Sequence, residues 1–273
     1  MKKRSSRRSK RVRKKNIFGA SLIFLVLICI SVAVSVYLSQ KKNSINIDPT
    51  TFCPVNGSPF VTAILIDETD QLSPIQQASL KNELQKIRDE IPKYGKIEVY
   101  LIGNTKKNLL KPILSLCNPG RGDHANKLYQ NARLIEKKWK DAFNNPMDKI
   151  ISSLSDVSTS DESPIMESIQ SISVSSFNNA NNKNAKFRLI IASDMLQYTD
   201  GFNLYHLNTN TLTSFNSEYL KQMHSDLRDV KVEILLFRRT TSKKLQGHQL
   251  INFWEAFFNN QGAFIDRIYA ITG

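Results

Sequence analysis

An uncharged run, FVTAILI at 60–66, ends abruptly in Asp67-Glu68-Thr69-Asp70-Gln71, and Ser73-Pro74 follows two residues later. A short apolar run bounded by polar, turn-forming residues reads as a strand buried on both faces. Strands of that kind belong to parallel sheets whose two faces are covered by helices. The acidic and hydroxyl side chains beyond Ile66 then stand at the carboxyl end of the sheet, where open α/β folds bind ligands.

Ser73 is a natural helix N-cap, Pro74 suits the first helical position, and Gln76 sits where a capping box places its amide. Leu80, Leu84, Ile87 and Ile91 fall on one stripe of the helix that follows, which ends near Pro92. A strand is expected over 96–102 and another over 112–117. About nine residues separate them, too few for a helical crossover, so the second is expected as an antiparallel edge strand. After the turn NPGRG at 118–122, Leu128, Ala132, Ile135, Trp139 and Phe143 keep a helical period, which Pro146 is expected to interrupt. A short helix over 147–154, a polar loop ending in Ser163-Pro164, and a helix through Ile165, Ile169 and Ile172 come next. The Asn-rich stretch 175–186 reads as a surface loop.

A second very apolar strand, FRLIIA at 187–192, carries Ser193 and Asp194 at its carboxyl end. Residues 197–213 look loop-like, Tyr219, Leu220, Met223 and Leu227 suggest an amphipathic helix, and 230–237 a strand. An aromatic-rich helix at 250–258, with Phe253, Trp254, Phe257 and Phe258 as core residues, leads to a last strand at 262–265. This alternation of strands and helices predicts one open, mostly parallel α/β sheet with an antiparallel edge strand and helices on both faces.

The net charge of +14 is concentrated at one end. Twelve of the 38 Lys and Arg residues precede Asn43 with no acid among them, leaving 26 basic against 24 acidic residues in a nearly neutral remainder. That distribution argues against a nucleic-acid-binding domain, and no nucleic-acid partner is expected. Between the basic clusters the chain from Ile17 to Leu38 is uncharged and long enough to cross a bilayer as a helix. Its apolar core is longer than that of a signal peptide, and no small-x-small cleavage site follows. The heavier positive load before it predicts a cytoplasmic amino terminus. The expected organisation is a basic tail (1–16), a transmembrane helix (17–38), a stalk (39–57) and a folded domain (58–273) facing the periplasm from a bacterial inner membrane. Cys29 lies within the span. Cys53 and Cys117 fall at the lower end of the sheet, where a disulfide and two buried thiols are both open readings. Neither CxxC spacing nor the scattered His124, His206, His224 and His248 suggests zinc.

Three stretches are expected to meet at the carboxyl end of the sheet: Asp67 to Gln71, Ser163, and Asp194. Carboxylates and hydroxyls suit a hard cation such as Mg²⁺ or Mn²⁺. The set Asp67-x-Thr69-x-Gln71, then Ser163-Pro164-Ile165, then Ser193-Asp194, resembles the metal-ion-dependent adhesion site of von Willebrand factor A (vWA) domains, whose pattern is DxSxS, a distant Thr and a later Asp. The resemblance covers roughly 58–272 and implies an open sheet with one antiparallel edge strand. It implies that Asp67, Thr69, Ser163 and Asp194 hold the ion directly or through water, with the Gln71 amide in place of the second serine, in a degenerate form of the site. It further implies a protein partner whose acidic side chain completes the coordination. A metal-dependent phosphoesterase or nuclease using Asp67, Asp70 and Asp194 is the enzymatic alternative, but no general base, phosphate loop or other catalytic constellation is recognised. A metal-free structural subunit of a membrane complex is the third reading.

Overall fold

The computed structural model describes residues 5–42, 45–69, 71–102, 109–126, 130–154, 162–182, 184–206 and 218–273. The chain divides into two compact units, Met1–Asn46 and Ile47–Gly273. The first holds one helix, α1 (Ser5–Lys42). Its segment Ser21–Ser39, with a mean hydropathy of 2.7, is long and apolar enough to cross a membrane. Leu22, Phe24, Leu25 and Leu27 are all exposed along it, as a membrane anchor requires.

The second unit is built on six strands: β1 (Phe60–Ile66), β2 (Lys96–Leu101), β3 (Leu114–Cys117), β4 (Lys186–Ser193), β7 (Lys231–Phe237) and β8 (Phe264–Ile271). A two-stranded hairpin, β5 (Tyr198–Thr199) and β6 (Phe202–Asn203), stands apart from them. The six-stranded sheet runs β3-β2-β1-β4-β7-β8. Every pairing is parallel except β2 with β3, where Lys96 lies opposite Cys117. β1 and β4 are central, which is why their sequences carry no alternation of polar and apolar residues.

Two cores form, one on each face. Val61, Ala63 and Leu65 of β1 point into one core and Ile64 and Ile66 into the other, the period of two that a strand imposes. The first core is covered by α5 (Ile165–Ile172) and α7 (His248–Asn260), with Phe253, Trp254, Phe257 and Phe258 all buried, as expected of that aromatic helix. The second lies under α2 (Pro74–Glu90) and the segment α3 (Ala132–Trp139) to α4 (Asn145–Ser153). The Ser73 side chain accepts from Gln76 N while the Gln76 amide oxygen accepts from Ser73 N, the reciprocal box expected at this helix start.

Several expectations are corrected. Pro146 does not interrupt the helical path: a π-turn, Lys140–Asn144, joins α3 to α4, and the proline falls in the first turn of α4. A second π-turn, Ser173–Phe177, extends α5 into the Asn-rich stretch and carries Ser176 and Phe177 inward. The helix expected through Leu227 is only α6 (Glu218–Gln222). Ser225 donates to Gln261, and Asp226 accepts from Arg228 N, so both side chains favour a turn over a helix. Of the expected loop 197–213, residues 198–203 form the hairpin and Leu204–His206 a 3-10 turn, while 207–213 lie outside the described residues, and β8 runs well past Ile265. Its Asp266 and Arg267 break the apolar pattern because β8 is an exposed edge.

The folded unit also takes in 47–57, a stretch expected as stalk. Ile47 bridges Pro54, Thr51 accepts from Cys117 N through its carbonyl at 2.9 Å, and Cys53 and Cys117 form a disulfide with Cα atoms 4.8 Å apart. Of the two readings left open for these cysteines, the bonded one holds.

Candidate functional site at the carboxyl rim of the sheet

β1 delivers Asp67 to the carboxyl rim, and the ladder continues one step beyond the strand, with Asp67 N donating to Ala192 O at 2.9 Å. That bond fixes the backbone and aims the carboxylate at the neighbouring strand end. Oδ1 accepts from Thr69 N (3.1 Å) and Thr69 Oγ1 (2.6 Å); Oδ2 accepts from Ser193 Oγ (2.7 Å) and Ser163 Oγ (3.1 Å). Four neutral donors thus surround one carboxylate that is only 5 % exposed. Hydrogen bonds to the charged form are what make such burial tolerable.

Ser163 is held by a two-way backbone bridge to Tyr198: Ser163 N donates to Tyr198 O at 2.8 Å, and Tyr198 N to Ser163 O at 3.1 Å. The β5–β6 hairpin therefore props up the loop that carries Ser163. Beneath it, Gln197 accepts from Met166 N and donates to both Glu167 and Tyr219, and Tyr219 in turn donates to Glu167. Burial first, and then the hydrogen bond to Glu167, hold the Tyr219 phenol protonated far above its ordinary range. Below Ser193, Met195 takes a positive φ of 63°, and its carbonyl accepts from the buried Trp254 Nε1.

Asp194 has a different environment. Its Oδ1 accepts from Leu196 N at 2.9 Å, and its Oδ2 faces the Arg239 guanidinium, with Nε at 3.5 Å. Arg239 Nη1 also donates to the Gln71 carbonyl at 2.8 Å. The buried Gln246 ties the two sides together, donating to Asp194 O and Phe237 O and accepting from Arg239 N. Glu68, half-buried beside the cluster, has its carboxyl raised above the ordinary value, first by burial and then by the charge of Asp67.

Of the five expected residues, Asp67, Thr69 and Ser163 are therefore joined directly, Asp194 is turned to an arginine, and Gln71 is exposed and meets Arg239 through its main chain. Asp70 lies outside the described residues. Sequence reasoning quoted Ser193 in the motif without giving it a role, and missed Gln246 and Arg239. Ser193 and the pair Arg238-Arg239 each stand at the end of an apolar strand, the same signal that singled out Asp67.

A hard divalent cation is held best by several anionic oxygens in a near-octahedral shell. This donor set fits one poorly: both oxygens of Asp67 already accept two hydrogen bonds each, and a guanidinium sits against the second carboxylate. Among the described residues no group of three or more His, Cys, Asp and Glu side chains comes together as a metal site.

Six strands in the order β3-β2-β1-β4-β7-β8, with β3 alone antiparallel, helices on both faces and Asp67 past the end of β1, decide the architecture. The fold is of the von Willebrand factor A type. No family model matches the chain, and no curated protein matches it. Among solved structures, the SpRpn10 VWA domain overlaps 78% of this chain and 88% of its own at 13% identity and a TM-score of 0.37. An aerotolerance-related membrane protein from Bacteroides fragilis overlaps 78% and 91% at 9% identity and 0.38, and BatB from Bacteroides thetaiotaomicron 78% and 91% at 12% and 0.36. The architecture rests on strand order and direction, and these overlaps carry none of the functional argument.

Proposed function

We propose that this vWA-type domain is a membrane-anchored binding module that captures a protein partner at the carboxyl rim of its sheet, through an acidic side chain of that partner. The observation that carries the reading is the Asp67 cluster: three hydroxyls and a main-chain N–H from three separate segments converge on one carboxylate at the position where such sheets take ligands. Arg239 and the exposed Gln71 border it and supply positive charge and amide donors to an incoming carboxylate. The basic amino-terminal segment is read as lying in the cytoplasm and the domain as facing the bacterial periplasm.

Photo-crosslinking from position 71 in intact cells tests this. A discrete adduct is expected from a photoreactive residue at 71, absent when the probe is moved to the exposed Phe264 on the far edge strand, and lost when Asp67→Ala is added. No adduct at 71, or one unchanged by Asp67→Ala, contradicts the proposal.

A further inference from the structure

The geometry points to Arg239 as the resident cation of this rim: we propose that its guanidinium, seated on Asp194 and on the Gln71 carbonyl, takes the electrostatic place of a divalent ion, so that the domain holds its rim together with no metal. This rests on the rim being the binding face, but its test uses no partner, so the two readings fail separately.

Arg239 is fixed first through its backbone. It follows β7 by two residues, and its backbone N–H is held by the buried Gln246 side chain, which also binds Asp194 O and Phe237 O. One glutamine therefore sets the spacing between the end of β4 and the end of β7. The arginine side chain, 16 % exposed, then reaches across to the loop after β1. Three of the loops that frame the rim are thereby joined by one positive side chain. A bridging metal ion does the same work: it gathers oxygens from separate loops and offsets their charge.

Charge bookkeeping supports the assignment. Asp67 is dressed by neutral donors, whereas Asp194 is opposed by Arg239. A dication entering here would meet a nearby guanidinium of like sign, which disfavours it. Removing the guanidinium takes away the charge opposite Asp194, near Asp67 and Glu68, and that is the charge a divalent ion would then supply.

The test uses the full chain in detergent, melted in EDTA and in MgCl₂ and followed by tryptophan fluorescence. The chain has two Trp residues, Trp139 and Trp254, both buried in the folded unit, so the signal reports that unit alone. The wild-type Tm is expected to be the same in both buffers. Arg239→Gln is expected to melt about 6–20 °C lower in EDTA, the shift a lost buried ion pair gives a domain of this size, and to recover at least half of that loss in MgCl₂. Arg239→Lys, which keeps the charge, is expected to melt above the Gln variant and to ignore magnesium. A wild-type Tm that rises in MgCl₂ overturns the assignment, as does an Arg239→Gln variant that folds but shows no magnesium response. Should the Gln variant fail to fold, a magnesium-responsive wild type or Lys variant overturns it, and indifference of both upholds it.

Discussion

The two ends of the sheet are built on different principles. At the amino end, β3 is bonded to the incoming chain through Cys53–Cys117, Asn118 binds the Ile91 carbonyl at 2.6 Å, and Glu233 near the start of β7 is forked by Arg188 (2.5 Å) and Arg267 (2.8 Å). At the carboxyl rim, the central carboxylate is bound by rotatable hydroxyls, and one arginine spans the loops. Covalent and doubly charged links are hard to exchange, whereas hydroxyl donors can turn to a new acceptor at little cost. The amino end is where the fold is secured, and the rim is where it can answer to a partner.

If that division holds, substitutions at the amino end should cost stability and leave the rim's cross-link intact in folded protein, and substitution of Asp67 at the rim should remove the cross-link from protein that is still folded. The largest effect is expected from Cys53→Ser with Cys117→Ser. The bond spans 64 residues, so the loop-closure argument gives about 4 kcal/mol, read as a fall in the urea midpoint with unchanged position-71 cross-linking below it.

Glu233→Gln comes next, with a loss of about 2–3 kcal/mol because Arg188 is left without its buried partner. Burial alone would raise this carboxyl, but the hydrogen bond and charge of Arg188, with Arg267, outweigh it and hold it below its ordinary value of 4.5. A depressed carboxyl contributes stability above its unfolded value and loses it as pH falls toward the folded one. The gap between wild type and Glu233→Gln should therefore be full at pH 7 and shrink below about pH 4.5; a gap that is constant with pH would contradict the ionic account.

Asp67→Ala should cost about 1–3 kcal/mol, since Ser193 and Ser163 lose their acceptor, while abolishing the cross-link entirely. The smallest effect is expected from Glu68→Gln. The Glu68 carboxyl is raised, so the folded state holds its proton more tightly than the unfolded state, and stability falls as pH rises from 4.5 through the folded value. The amide escapes that loss, so the variant should be more stable than wild type at pH 7, by a few tenths of a kcal/mol for a half-exposed group, and equal to it at pH 4. A variant less stable than wild type at pH 7 would show that Glu68 has a charged role at the rim.

Much of the frame was legible because central parallel strands leave an unmistakable pattern: FVTAILI and FRLIIA lack polar alternation because neither face meets water. The capping box at Ser73 and Gln76 marked the start of α2 as plainly. The π-turns were hidden, since a change of hydrogen-bond register between α3 and α4 leaves the apolar stripe almost unaltered. The length of β8 was hidden by Asp266 and Arg267, which look like the end of a strand but lie on an exposed edge. At the site, the strand-end rule found Asp67 and Asp194 but not what each would face. Whether Asp194 turns to a metal or to an arginine depends on the position of β7 beside β4, which follows from strand order and not from local sequence.

The central claim is that the rim is held by its own arginine and hydroxyls. Crystals of the full chain soaked in MnCl₂ and measured at the manganese edge test it most directly. The account predicts no anomalous peak between Asp67, Thr69, Ser163 and Asp194, with Arg239 still seated on Asp194. A peak there, with the guanidinium displaced, would contradict it.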